Sequence, residues 1–346
     1  MLSSRDPGTG RPQLVQSRIP FGYRGNVLPA GLQAATAGIG WFAVNSVSGA
    51  LALHTLTQLS TVAGLLVIVA VQLAVAFFGH NLVHAFERVA FPLLGVAFAL
   101  AAAWTAGKGH YGGPGHPVRG AFGLALGAAF GYAAGWNPYA SDYTRYLAPG
   151  TSRRATGLWA GAGVALSCVA LEVLGAAAAT VSGSRALADP TGSFTAVRPS
   201  AVRDVTLLAI ALGAVSANVL NIYSGALSVT ALGIRLPLRA GRAVVGLVLG
   251  AIGLAVAISA LPDAGQRYES FLLVIAYWIG PWLGVCLTDL LRRRGEALGA
   301  AVFDRRYVNR AGPVAMGVAM VVSIALFSNQ SVYLGLVARH VPAVGD

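Results

Sequence analysis

Acid is scarce in this sequence. Asp and Glu number 12 against 24 Lys and Arg, and charged residues make up 10% of the 346 positions, where a soluble domain typically carries about 25%. So thin a supply of charge excludes a soluble enzyme, and the apolar majority excludes a disordered chain. Cysteine is nearly missing: only Cys168 and Cys286 occur, which excludes a disulfide scaffold. Both lie inside apolar runs and read as buried thiols. Residues 1–26 hold no apolar core, so no cleavable leader is expected. No internal repeat is visible, and low complexity is confined to the Gly/Pro/His loop Gly107–Gly120.

What fills the chain instead is apolar residues, 56% of it, in runs such as Thr61–Phe78, Leu207–Ala217 and Ala243–Leu261. A helix needs about 20 such residues to cross a bilayer. Nine spans are expected, at 27–59, 60–79, 89–106, 120–141, 155–182, 204–232, 243–261, 268–291 and 312–328. The fold class is therefore an all-α polytopic membrane protein. Residues 1–26 form a cytoplasmic N-terminal segment, 27–328 the helical bundle and 329–346 a C-terminal tail.

The net charge of +12 fits this topology without a nucleic-acid partner. With the N-terminus in the cytoplasm, 17 of the 24 Lys and Arg residues fall inside, among them Arg153, Arg154, Arg292, Arg293 and Arg294. That asymmetry is the one that orients membrane proteins. The expected setting is the cell membrane, with lipid as the surrounding partner and a monomeric chain.

Polar residues within spans are costly in lipid and therefore informative. Trp41 and Asn45 stand four apart in the first span and share a helix face. An aromatic plane beside an amide suits a flat, hydrogen-bonding ligand, and equally a Trp packed on a neighbouring helix with an Asn bonding across it. In the fourth span, glycines at 123, 127, 131 and 135 form a smooth strip that runs into Trp136-Asn137-Pro138-Tyr139. Proline cannot donate its backbone bond, so the helix is expected to break near Gly135–Pro138, with backbone groups opened at membrane depth. Such breaks form the substrate sites of many secondary transporters. The sixth span carries the densest polar cluster: Ser216, Asn218, Asn221, Tyr223 and Ser224.

Glu172 is the lone acid near the middle of a span and is a proton-coupling candidate, or equally a Glu neutralised by burial or bonded to a neighbouring helix. His80 and His84 have the spacing of a metal pair, with only Glu87 as an acidic partner, and read as a short cytoplasmic turn rather than a metal site. Asp142, three residues before Arg145, is expected to form a local ion pair.

Together, Gln16-Ser17-Arg18, Phe21-Gly22-Tyr23-Arg24-Gly25-Asn26, Gly40-Trp41, Gly135-Trp136-Asn137-Pro138-Tyr139-Ala140-Ser141-Asp142-Tyr143 and Asn221-Ile222-Tyr223-Ser224 resemble the purine–cytosine permeases of the nucleobase:cation symporter-1 family. The resemblance runs through the whole chain, Gly280-Pro281 included. It implies a LeuT-like inverted-repeat core and import of cytosine or purine bases with H+ or Na+. No resident cofactor is implied. About nine of the family's twelve helices are present, because Gln16-Ser17-Arg18 resembles the loop after the second helix and Pro342–Asp346 the approach to a twelfth. The expectation is a fragment, a misplaced start or a decayed gene product.

The resemblance also implies site roles. Trp41 stacks on the base and Asn45 reads its edge. Asn221 matches an eighth-helix amide, with Asn218 one turn earlier. Tyr132 or Trp136 is the second stacking residue, beside the opened backbone at Gly135. Gly213, Ser216 and Glu172 are the ion-coupling candidates. Sodium-using relatives present two adjacent hydroxyls where this chain has Ser216 and Ala217, which favours protons. A channel would need a continuous polar lining, and a membrane enzyme an acid/base pair or metal cluster; neither pattern is present in the sequence. The nearer alternatives are permeases for allantoin, uracil, hydantoin or an amino acid.

Overall fold

Inside a bilayer every backbone N–H and C=O must find its partner within the protein, which a single segment achieves only as a helix. The chain obeys that rule, and its described residues are 82% helical. The computed structural model describes residues 2, 10–78, 80–111, 120–182, 189–196, 198–234, 240–293, 298–330 and 333–340. Two short helices, α1 (Gln13–Gln16) and α2 (Arg18–Phe21), come first. The first span follows as α3 (Val27–Ala35), a π-helical stretch (Thr36–Trp41) and α4 (Phe42–Thr57). Then come α5 (Thr61–Phe78), α6 (His80–Ala106), α7 (Ala121–Gly135), a 3-10 turn (Asn137–Tyr139) and α8 (Ala140–Thr144). The remainder is α9 (Arg153–Ser182), α10 (Pro190–Thr195), α11 (Ser200–Ala231), α12 (Ala240–Ala260), α13 (Ala264–Arg292) and α14 (Ala311–Phe327). A two-residue-strand hairpin pairs Asn329–Gln330 (β1) with Tyr333–Leu334 (β2).

Each expected span meets a helix, most within four residues at either end. Four continuous stretches, Val27–Thr57, Arg153–Ser182, Ser200–Ala231 and Ala243–Arg292, are long and apolar enough to cross a membrane. The third span is the exception at its start, for α6 begins at His80 rather than at 89. Nothing between His80 and Pro92 breaks a helix, so the polar residues read as a turn continue the helical hydrogen bonding instead. The side chains of His80, His84 and Glu87 lie outside the described residues, as do Arg5, Arg119, Arg185, Arg235, Arg239, Arg294, most of loop Gly107–Gly120 and the ending Pro342–Asp346. Cys168 and Cys286 are buried and free.

The core lies around α11, whose buried face runs from Thr206 to Ala231. The first span and α11 cross where Gly38 meets Gly225: a Cβ at Gly225 would stand 3.5 Å from the Gly38 Cα. A second core joins α13 to α2 and α14 through Ile279, Trp282, Phe21 and Met316, all fully buried. The glycine strip of α7 faces α13. At Gly131 an added Cβ would run into the Leu272 carbonyl oxygen, so the strip permits backbone contact that any side chain would prevent.

The segment read as a separate cytoplasmic stretch is woven into the bundle from Gln13 on. Trp282 Nε1 donates to Ser17 Oγ at 3.0 Å, and Asn26 Nδ2 to the Leu14 carbonyl at 2.7 Å. Arg18 is buried, donating to the carbonyls of Val302 (3.0 Å) and Ala231 (2.8 Å), with its guanidinium 4.3 Å above the Tyr23 ring. Burial draws its pKa below the usual arginine value, against the pull of Tyr23.

Asp142 and Arg145 feel one another's charge, and each has further partners. Asp142 is buried and accepts from the Gln13 backbone N–H at 3.0 Å, one of the donors that the start of a helix leaves without an internal partner. Arg145 donates to the hydroxyls of Tyr146 and Tyr223, both at 2.7 Å.

Two glycines test the packing. Gly131→Ala should destabilise by about 1–3 kcal/mol through overpacking against α13. Gly163→Ala in α9, with open space around it, should be neutral or gain up to about 1 kcal/mol of helix propensity. Thermal unfolding of the purified variants in detergent compares them.

Candidate functional site

The first span is not a plain α-helix at its centre. The stretch Thr36–Trp41 is π-helical, a widening that recurs at functional sites because it displaces a side chain from its regular direction. Trp41 ends it, 9% exposed, and is ringed by aromatic edges. Tyr132 of α7 stands 5.7 Å away at 80°, Phe271 of α13 5.1 Å at 89°, and Tyr268 6.3 Å at 62°. Edge-to-face pairs of this kind add about 0.5–1.5 kcal/mol beyond burial. Below the indole lies Gly135, where a Cβ would be 3.3 Å from Trp41 Cζ2.

The expected break in the fourth span is present. Helix α7 ends at Gly135, and Pro138 lies in the 3-10 turn before α8. The two candidate stacking residues, a turn apart and near enough to hydrogen-bond, face differently. Tyr132 faces Trp41, whereas Trp136 is 37% exposed and packs on Tyr139 at 5.8 Å.

One turn beyond Trp41 begins a continuous polar string. Asn218 Oδ1 accepts from Asn45 Nδ2 at 3.1 Å and from Asn221 Nδ2 at 3.0 Å. Its own Nδ2 donates to the Phe42 carbonyl at 2.9 Å and to Ser46 Oγ at 3.1 Å. Ser46 donates onward to Gln72 Oε1 at 3.0 Å, and Gln72 Nε2 to the Ala214 carbonyl at 3.3 Å. At the other end Tyr139 donates to Asn221 Oδ1 at 2.8 Å. The structure thus brings Trp41, Asn45, Tyr132, Gly135, Asn218, Asn221 and Tyr139 into one region where α4, α7 and α11 meet. Asn218 is wholly buried with all four hydrogen-bonding positions taken by protein. Asn45 is half-buried, with an exposed part still open to a ligand.

The ion-coupling candidates do not join this string. Gly213 faces Leu94 of α6, and Ser216, one turn on, shares that side of α11. Glu172 is exposed on α9, close enough to Tyr132 and Tyr268 for both to feel its charge. Among the described residues no group of three or more His, Cys, Asp or Glu stands together to hold a metal.

Several members of the region were not singled out from the sequence: Ser46, Gln72, Tyr139 and Gln33. Gln33 is 1% exposed, and neither atom of its amide has a hydrogen-bond partner among the described residues. The neighbouring Tyr139 hydroxyl is already committed to Asn221. Ser224 Oγ, wholly buried on α11, also has no hydrogen-bond partner among the described residues. Their one sequence signal is polarity within an apolar span, the same signal that marked Asn45.

Residues 2–339 match the family described as a permease for cytosine/purines, uracil, thiamine and allantoin. The purine-cytosine permease fcyB of Emericella nidulans is 30% identical over 366 aligned positions, covering 97% of this chain and 70% of the fungal protein. YxlA of Bacillus subtilis, provisionally named a purine-cytosine permease, is 27% identical over 97% of this chain and 76% of its own length. Among solved structures, a mutant of the Eremococcus coleocola manganese transporter covers 94% of this chain, and this chain 84% of it, at 16% identity and a TM-score of 0.47.

The polar string and the unpartnered amide predict opposite effects of the same kind of substitution. Asn218→Leu leaves four groups without their partner and should cost about 2–4 kcal/mol. Gln33→Leu removes an amide without a well-formed hydrogen bond among the described residues and should leave the unfolding midpoint unchanged or raise it. Both are read by thermal unfolding in detergent.

Proposed function

The chain belongs to the family of permeases for cytosine/purines, uracil, thiamine and allantoin, and from that premise we propose that it imports cytosine or a purine base across the cell membrane in symport with a proton. It is a multi-pass membrane transporter, not an enzyme. The observation that carries the substrate reading is the junction of two kinds of surface. An indole walled by Tyr132 and Phe271 adjoins amides whose free positions lie within one helical turn. A neutral heterocycle uses both: its face stacks, and its edge offers donors and acceptors in the plane that amides read.

Roles follow from the geometry. Trp41 stacks on the base, with Tyr132 rather than Trp136 as the second ring because only Tyr132 reaches the indole. Asn45 and Asn221 read the edge, while Asn218, its own bonds spent within the protein, holds the other two in place. The opened backbone at Gly135 lets the base approach the indole from the α7 side. Gln33 offers a donor and an acceptor that a base can satisfy where the described residues make no well-formed bond to them. A site of this type rejects rings that leave its polar groups unpaired.

Transport proceeds by alternating access, driven by differential affinity of the base for the two states. The base enters from outside between the first, fourth and sixth spans and leaves to the cytoplasm, where the N-terminus and most of the arginines lie. A proton is the coupling ion. Ala217 offers no oxygen beside Ser216, and Glu172 supplies a carboxyl near Tyr132. Gly213 and Ser216 lie toward α6, where they flank the path of α11 rather than the base.

In proteoliposomes, radiolabelled cytosine uptake should rise with an inward proton gradient and ignore sodium, and Glu172→Gln should flatten its pH dependence. Trp41→Ala should raise KM about 5- to 150-fold, the equivalent of losing one stacked base. Gln33→Leu should weaken affinity without lowering stability. Sodium-driven, pH-independent uptake would overturn the proton assignment, and uptake unchanged in Trp41→Ala would overturn the site.

A further inference from the structure

A cavity lies away from the aromatic ring around Trp41. Between α2, α13 and α14 a cleft of about 740 Å3 opens to the surface, a size ordinary for sites that hold small ligands. Along α13 its lining runs from Pro281 to Arg293, so at the rise of a helix its near end is roughly 15 Å and its mouth roughly 30 Å from Phe271. The cleft is therefore separate from the base site.

Its two halves differ in chemistry. The inner walls are small and apolar, with Pro281, Gly284, Ala315 and Ala319 leaving a smooth trough where larger side chains would fill it. The mouth is polar and basic. There Asp289 pairs with Arg293 at 2.9 Å, so that carboxylate is spent. Asn309 is spent as well, donating to the Ile19 carbonyl and accepting from the Ala311 backbone N–H. Arg292, exposed beside Thr288, has no hydrogen-bond or ion-pair partner among the described residues. The start of α14 opens at the same mouth, adding the positive end of a helix dipole. Arg305, Arg306 and Arg310 lie in the chain just before it.

We propose that this cleft seats an anionic phospholipid. The phosphate sits on Arg292 with the Thr288 hydroxyl as a second donor, and an acyl chain lies in the trough along Gly284, Ala315 and Ala319. Charge complementarity selects the headgroup, since basic recesses between membrane helices take acidic lipids. The apolar trough selects a lipid over a free phosphate, which would leave those walls uncovered. The assignment is independent of which base is transported or whether any is.

The test uses the full chain purified in detergent, with lipid retention followed by native mass spectrometry and stability by thermal unfolding. Phosphatidylglycerol should be retained about tenfold better than phosphatidylcholine, the value of one charge-assisted contact, and should raise the unfolding midpoint. Arg292→Gln should bring the two lipids to parity without lowering the lipid-free midpoint, because the side chain is exposed. Ala315→Trp should fill the trough and reduce retention of both lipids. Equal retention of the two lipids by the unaltered chain would overturn the proposal. So would a preference that survives Arg292→Gln, or inorganic phosphate alone reproducing the thermal shift.

Discussion

A carboxamide enclosed by apolar helices has four hydrogen-bonding positions to satisfy and no water to satisfy them. Asn218 meets that demand by reaching the Phe42 carbonyl and Ser46 on α4, and by accepting from Asn45 and Asn221. The consequence is mechanical as much as energetic. Helices α4 and α11 cannot slide past one another without emptying at least one of these positions, and each emptied position costs about 1–3 kcal/mol. The rest of the central region is arranged around that crossing. Gln72 extends the bonding to α5, and Tyr139 extends it to the chain beyond the broken helix α7. In lipid, where helices gain nothing by hiding from water, such bonds and close backbone contact are what hold helices together.

Close contact is the second device. At Gly38 and Gly225 the first span and α11 approach with nothing between them, and at Gly131 α7 lies on the backbone of α13. Polar bonding and glycine packing place Trp41 where three helices converge. The broken helix then matters because it ends just below the indole. The turn at Pro138 redirects the chain and places Tyr139 against Asn221.

Much of this was legible in the sequence, and for identifiable reasons. Apolar runs are long and their ends are marked by Arg, Gly or Pro, so span positions followed directly. Pro138 after a glycine strip marked the break, because proline's missing donor acts regardless of context. What was hidden depends on tertiary partners. The sequence marks Asp142 and Arg145 as neighbours, but it does not show that a backbone N–H of Gln13 also reaches the first and two tyrosines the second. Likewise nothing local distinguishes Asn218, enclosed on all sides, from Asn45, half open. That difference arises only when α4 and α11 are placed together. Gln33 and Gln72 are single polar residues in apolar surroundings, and their significance rests on who sits opposite.

The π-helical stretch Thr36–Trp41 has a consequence for angular bookkeeping along the first span. In an unbroken α-helix, positions 33 and 41 would point about 80° apart. A π-bulge absorbs the equivalent of one extra residue, which returns the upstream half by one step and narrows that divergence to about 20°. The carboxamide of Gln33 and the indole of Trp41 thereby fall on a single longitudinal stripe. Deleting one residue within the bulge would restore regular pitch and swing the whole preceding half-helix, amide included, out of alignment with the ring.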